Sequence, residues 1–86
     1  MKVFLPSPLR SYAGGRSEVE GRGGTVAAVL EDLDRRHPGI RFRMVNEQGA
    51  IREHIQVFVR GEQVKALSSA VGKDDEVYIL AALSGG

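Results

Sequence analysis

Apolar and polar residues alternate along this chain with two different periods, and the changes of period mark its elements. In Thr25-Val26-Ala27-Ala28-Val29-Leu30-Glu31-Asp32-Leu33 the residues Val26, Val29, Leu30 and Leu33 fall at i, i+3, i+4 and i+7, one face of an α-helix. Thr25 has a hydroxyl suited to cap the first turn, although Ala28 leaves no capping-box carboxylate. Glu31 with Arg35 and Asp32 with Arg36 add acid-before-base neighbours at i, i+4, expected on the wet side of the helix. Pro38 drives the residue before it out of the α region, so the helix is expected to stop at His37.

Elsewhere the period is two. Lys2 to Leu5 reads as a short strand halted by Pro6 and Pro8, which cannot donate into a ladder. Ser7 to Gly15 reads as a loop. Arg16 to Glu20, with Val19 its single apolar residue, reads as an exposed edge strand returning from the first as a hairpin, and Gly21 to Gly24 as a flexible turn. Ile55 to Arg60 is a firm strand, which Gly61-Glu62 turns into a short return at Gln63 to Lys65. Ala66 to Val71 is expected to hold one helical turn, Gly72 to Asp75 is turn chemistry, and Glu76 to Ala82 is the last strand. Ile40 to Gly49 is the least legible stretch. Its Ile40, Phe42, Met44 and Val45 fit either a short turn of helix or an irregular cover over the core, with a turn at Asn46 to Gly49. One amphipathic helix among about five strands is most economically buried across one face of a mixed sheet. With the first and last strands as central neighbours, this is an α+β fold of the β-grasp, or ubiquitin-like, kind.

Composition narrows the chemistry. Eighty-six residues make one small domain, residues 1–86, which buries roughly 60–65% of its unfolded surface and leaves little room for a deep cleft. A net charge of +1 without a basic block gives no electrostatic footprint for nucleic acid. With no cysteine there is no disulfide framework, thiolate metal site or cysteine nucleophile. Neither a signal peptide at Met1 to Pro6 nor a membrane-spanning run is read, so a cytoplasmic protein, monomeric when free and without a membrane partner, is expected. His37 sits where a cation suits a helix C-terminus, and His54 opens a strand. Asp74-Asp75-Glu76 reads as a solvated turn, since consecutive residues do not converge on one metal ion. Ser68-Ser69 has no neighbouring base, and neither Gly14-Gly15 nor Gly23-Gly24 leads into the Gly-Lys-Ser/Thr of a phosphate loop. No bound cofactor or metal is expected.

The tail is what remains. Leu83-Ser84-Gly85-Gly86 follows directly on the apolar run Val77 to Leu83. Glycine has no Cβ, so such a segment passes through a narrow channel, and residues 82–86 extended would reach roughly 15 Å from the fold. A slender, flexible stalk with one carboxylate suits presentation to another protein's active site. A β-grasp that ends Asp74-Asp75-Glu76-Val77-Tyr78-Ile79-Leu80-Ala81-Ala82-Leu83-Ser84-Gly85-Gly86 resembles the MoaD/ThiS family of ubiquitin-like sulfur carriers. The likeness takes in the opening strand, the Leu9-Arg10 loop, the Thr25-Val26 helix start and Val57-Phe58-Val59-Arg60-Gly61-Glu62. It implies that Gly86 carries the chemistry, as the substrate of an E1-like activating enzyme. That partner would use ATP and magnesium to adenylate the carboxylate and convert it to a thiocarboxylate for a sulfur-accepting biosynthetic enzyme. Leu83, Ser84 and Gly85 would thread into the partner. The long middle segment, His37 to Gly61, looks more like the molybdopterin-synthase small subunits and cysteine-biosynthesis carriers than the shorter thiamin carriers.

Alternation also predicts a docking face. Ile55, Val57 and Val59 point one way and Gln56, Phe58 and Arg60 the other; Val77 and Ile79 oppose Tyr78 and Leu80. If the helix covers the first sets, Phe58, Tyr78 and Leu80, joined by Phe4, form an exposed patch beside the tail for a partner to cover. Two other readings stay open: a ubiquitin-like modifier conjugated through Gly86 to lysines, and a β-grasp interaction domain whose glycine pair is incidental.

Overall fold

The computed structural model describes residues 1–82. Strand β1 (Lys2–Phe4) is followed by a 3₁₀ helix (Ser7–Ala13), β2 (Glu18–Glu20), helix α1 (Val26–Arg36), helix α2 (Ile40–Met44), β3 (Ile55–Val59), β4 (Glu62–Val64) and β5 (Val77–Ala81). The five strands form one sheet in the order β2-β1-β5-β3-β4. β1 runs parallel to β5, and the other pairings are antiparallel. The expected edge position of the second strand and central position of the last are both found.

α1 begins where its sequence says. Thr25 is extended, and its Oγ1 accepts the Ala28 N–H at 3.1 Å, satisfying a donor that the first turn leaves free. It ends at His37, whose N–H reaches the Leu33 carbonyl at 2.7 Å. Val26, Val29, Leu30 and Leu33 are buried on the sheet together with Val3, Val57, Val59, Val77 and Ile79. Across four strands the register sets Val19, Val3, Val77 and Val59 side by side, a row of β-branched side chains that fits a pleated, covered face. The β3–β4 hairpin turns on Arg60 and Gly61, both left-handed at φ 53° and 79°, as the right-handed twist of a two-residue hairpin requires. Arg60, the non-glycine residue in that position, pairs its guanidinium with Asp75 in the turn before β5.

Four expectations need correction or refinement. Ser7–Ala13 is a 3₁₀ helix, not a loop; a proline in its first turn gives up no donor the helix needs, and Leu9 and Ala13 face the core. The region from Ala66 to Val71 has no helical turn. Its carbonyls are taken up by the start of α1, with the Val26 N–H on Ser69 O at 3.0 Å and the Ala27 N–H on Leu67 O at 2.8 Å, and Ala70 bridges to Thr25. In the stretch from Ile40 the short helix is the correct alternative, but Phe42 is no part of the cover. Ile40 and Met44, one turn apart, are fully buried with Val45, while Phe42 is 59% exposed.

The fourth correction concerns Asp32, which is only 5% exposed and not on the wet face. Its carboxylate accepts the Arg22 N–H at 2.9 Å, Arg36 Nε at 2.8 Å and an Arg35 terminal nitrogen at 2.5 Å. Arg35 is therefore paired with Asp32, and not with Glu31. Position 32 borders the stripe of Val29 and Leu33 and so meets the glycine-rich loop before α1. That loop lies against the helix: a Cβ on Gly23 would sit 2.6 Å from the Val29 backbone nitrogen. Burial alone would raise the Asp32 carboxyl, but hydrogen bonds from Arg36 and the Arg22 backbone, with the charges of both paired arginines, outweigh it and hold the pKa below the usual carboxylate value.

A carboxyl depressed in the fold stabilises fully above its unfolded value, about 3.9, and loses that contribution as pH falls through the folded value. Asp32→Asn is therefore expected to cost about 1–3 kcal/mol at neutral pH, with the gap to the parent narrowing below about pH 4; urea unfolding curves at the two pH values measure it. Gly23→Ala is expected to cost about 1–3 kcal/mol through overpacking against backbone that cannot yield. The neighbouring Gly24→Ala, where a Cβ meets open space, serves as the mild control in the same unfolding series.

Candidate functional site

The candidate site residues among those described gather around β5. Because side chains alternate along a strand, the β5 residues Val77 and Ile79 enter the core, while Tyr78 and Leu80 stand on the far face, 41% and 45% exposed. The register of the sheet then decides what surrounds them. Phe4 on β1 and Phe58 on β3 are both directly opposite Tyr78, so three aromatic residues lie in one row over three adjacent strands. Phe4 and Tyr78 stack with ring centroids 4.4 Å apart and planes 9° from parallel. Phe4 and Phe58 are half-buried in this row. Leu80 stands on the same face two residues further along β5, opposite Gln56 on β3. All four patch residues predicted from alternation thus share the sheet face away from α1.

The hydroxyl of Tyr78 lies 3.4 Å from Glu76 Oε1. Partial desolvation, then the charge and hydrogen bonding of the Glu76 carboxylate, and more weakly the Glu18 charge, push the phenol above its usual pKa. It is a neutral donor at physiological pH. The patch is therefore apolar at its centre, with carboxylates of Glu18 and Glu76 at its margin.

Beyond β5 the backbone is anchored once more: the Ala82 N–H donates to the His54 carbonyl at 2.7 Å. Leu83, Ser84, Gly85 and Gly86 lie outside the described residues. On the helix side of this point Arg43 of α2 and His54 line a cleft of about 200 Å³ with Pro8, Leu9, Ile55, Ala81 and Ala82. They also line a second cleft, of about 230 Å³, with Phe42 and Arg52. Arg52 donates through Nε to the Phe42 carbonyl at 2.9 Å, and its guanidinium lies 4.8 Å from the centre of the Phe42 ring. Sequence reasoning missed this basic corner because its residues come from α2 and from the segment before β3. The i, i+4 spacing of Ile40 and Met44 was the available signal that Phe42 and Arg43 face outward.

The internal candidates for chemistry stay apart. His54 is exposed, and His37 closes α1. Among the described residues no group of three His, Cys, Asp or Glu side chains could hold a metal ion. The glycine-rich loop before α1 offers no free helix-end donors to a phosphate. The N–H groups of Val26, Ala27, Ala28 and Val29 bond to Ser69 O, Leu67 O, Thr25 Oγ1 and Thr25 O, so the site that helix N-termini offer to anions is already filled. No helix of the described residues is long and apolar enough to cross a membrane.

This arrangement has known counterparts. The sulfur carrier protein CysO of Mycobacterium tuberculosis is 33% identical over 89 residues, covering 98% of this chain and 96% of its own. Small archaeal modifier protein 1 of Haloferax volcanii is also 33% identical over 89 residues, covering the whole of both chains. A chain in the crystal structure of the Amycolatopsis orientalis BexX/CysO complex superposes with a TM-score of 0.91 at 36% identity, covering 99% of this chain and 98% of that one. These relatives are small carriers and modifiers with a ubiquitin-like β-grasp, and the sequence profile of the ThiS family matches residues 3–86. The chain belongs to the ThiS family of ubiquitin-like sulfur carriers.

Proposed function

We propose that this protein carries sulfur on the carboxylate of Gly86 and acts as the substrate of its partner enzymes. A C-terminal carboxylate, with a pKa of about 3.5, is an anion at neutral pH and a poor electrophile. An E1-like enzyme would join it to the α-phosphorus of ATP, with magnesium on the phosphates and pyrophosphate leaving. A sulfur nucleophile would then displace AMP from the acyl-adenylate, giving a thiocarboxylate that transfers sulfide to a biosynthetic enzyme. The observation that carries this reading is the family match, which runs through Gly86. The likeness to the CysO carriers supports an acceptor of the cysteine type ahead of the molybdopterin type. A ubiquitin-like modifier joined through Gly86 to lysines is the second reading, favoured by the likeness to small archaeal modifier protein 1.

The face that meets the activating enzyme is, in this reading, the row of Phe4, Tyr78 and Phe58 with Leu80. It is centred on the strand that leads into Leu83, Ser84 and Gly85, so covering the patch and receiving the tail are one event. Aromatic residues at such a centre contribute more to affinity than the polar margin does.

Intact-mass spectrometry of the protein from its native host is expected to show replacement of one oxygen by sulfur, lost on deletion of Gly85 and Gly86. Lysine conjugates that vanish on the same deletion would indicate the modifier, and unchanged function after deletion would sink both. Phe58→Asp or Tyr78→Asp is expected to leave the fold intact and to weaken binding to the activating enzyme by about 2 kcal/mol or more, as for a central anchor. Calorimetric titration, with circular dichroism as the folding control, measures this; unchanged affinity would remove the patch from the interface.

A further inference from the structure

The corner of Arg43, Arg52 and His54 is not explained by the fold or by the aromatic patch. The ion pairs among the described residues use Glu20, Asp32 and Asp75, and none of them reaches these three side chains. The chain as a whole carries a net charge of only +1, so two guanidinium groups, Arg43 and Arg52, beside the His54 imidazole concentrate positive charge locally, with Glu53 the one acid adjoining them in sequence between Arg52 and His54. The corner is also partly set in place. Arg52 is held to α2 through its Nε bond to the Phe42 carbonyl and by stacking on the Phe42 ring. Its terminal nitrogens have no hydrogen-bond partner among the described residues, and they present the fork that matches a carboxylate. The aromatic ring on which Arg52 rests is itself 59% exposed.

Position gives the corner its meaning. Arg43 and His54 line both clefts, and one of these clefts includes Ala81 and Ala82. The His54 carbonyl holds the Ala82 N–H. A protein that receives residues 83–86 must come up against this end of β5, with the apolar patch on one side of the strand and the basic corner on the other. We propose that the Arg43–Arg52–His54 cleft docks an acidic segment, clustered Asp or Glu side chains, on the protein that takes up the tail. The proposal rests on the reading of Gly86 as the site presented to a partner. Charge complementarity selects the occupant. Arg43 and His54 are exposed and the clefts are open, which suits carboxylates meeting the rim of an interface. Capture of a small phosphate would call for donors converging in an enclosed site. Rim charges of this kind act mainly on the rate of encounter and on its salt dependence.

Two measurements on the full chain test this. In the first, ¹⁵N-labelled protein is titrated with a short poly-glutamate peptide and, separately, with inorganic phosphate. The peptide is expected to shift the Arg52 Nε–H and the amides of Arg43 and His54, less so in Arg43→Glu and at high salt. No shift at these residues, or an equal response to phosphate, overturns the acidic-segment assignment. In the second, loading of Gly86 by the ATP-dependent activating enzyme is followed at increasing salt. Arg43→Glu is expected to raise KM about tenfold at low salt with kcat unchanged, converging on the parent as salt screens the charges. Equal KM at every salt concentration overturns the proposal while loading itself still stands. A parent chain that binds the peptide at the corner but is never loaded counts instead against Gly86 as the reactive site.

Discussion

The parallel pairing of β1 with β5 is the constraint on which the remaining structure depends. It joins the two ends of the chain at the middle of the sheet, through Val3 beside Val77 and Phe4 beside Tyr78. Only with that contact made do the two hairpins, β1–β2 and β3–β4, become the wings of one sheet, and only then does α1 have a continuous apolar face to cover. Such a pairing is costly to form because almost the whole chain must be looped before it contributes. It is held once formed because Val3 and Val77, the middle pair of the valine row, on one face and the Phe4–Tyr78 stack on the other both join the same two strands.

The same contact decides what surrounds β5. A central strand has neighbours on both sides, so β5 leaves the sheet in a fixed direction, with Ala82 tied to the His54 carbonyl. Its two faces then differ in kind. One is the aromatic row away from the helix, and the other leads to the basic corner of α2 and the segment before β3. A chain this small spends its helix-end donors and its buried carboxylate on holding itself together. The first turn of α1 is satisfied by residues 67 and 69, and Asp32 fastens the glycine-rich loop to α1. What stays wholly or partly exposed around β5 among the described residues is the aromatic row on one face and the corner of Arg43, Arg52 and His54.

Local rules carried much of the architecture. The cap at Thr25, the stripe from Val26 to Leu33 and the stop before Pro38 depend on residues near one another in sequence, and all of them appear as read. The alternation in β3 and β5 was legible for the same reason, and with it the outward direction of Phe58, Tyr78 and Leu80. Two of the misreadings, at Asp32 and at residues 66–71, share a different cause. Asp32 looked like a helix-surface acid because nothing near it in sequence reveals that the backbone of Arg22 comes back to meet it. Residues 66–71 looked able to turn as a helix because their role, supplying carbonyls to α1, is a contact across forty residues of chain.

By itself, then, the sequence determined the strands and α1, the side of each strand that goes inward and the glycine pair at residues 85 and 86, since each follows from the period or the identity of neighbouring residues. The tertiary structure alone decided that Phe4, Tyr78 and Phe58 stand in a single row, that Asp32 is buried among arginines and that Arg43, Arg52 and His54 meet beside Ala82. Strand register and the packing of α2 bring together residues far apart in the chain, and no local pattern encodes those distances.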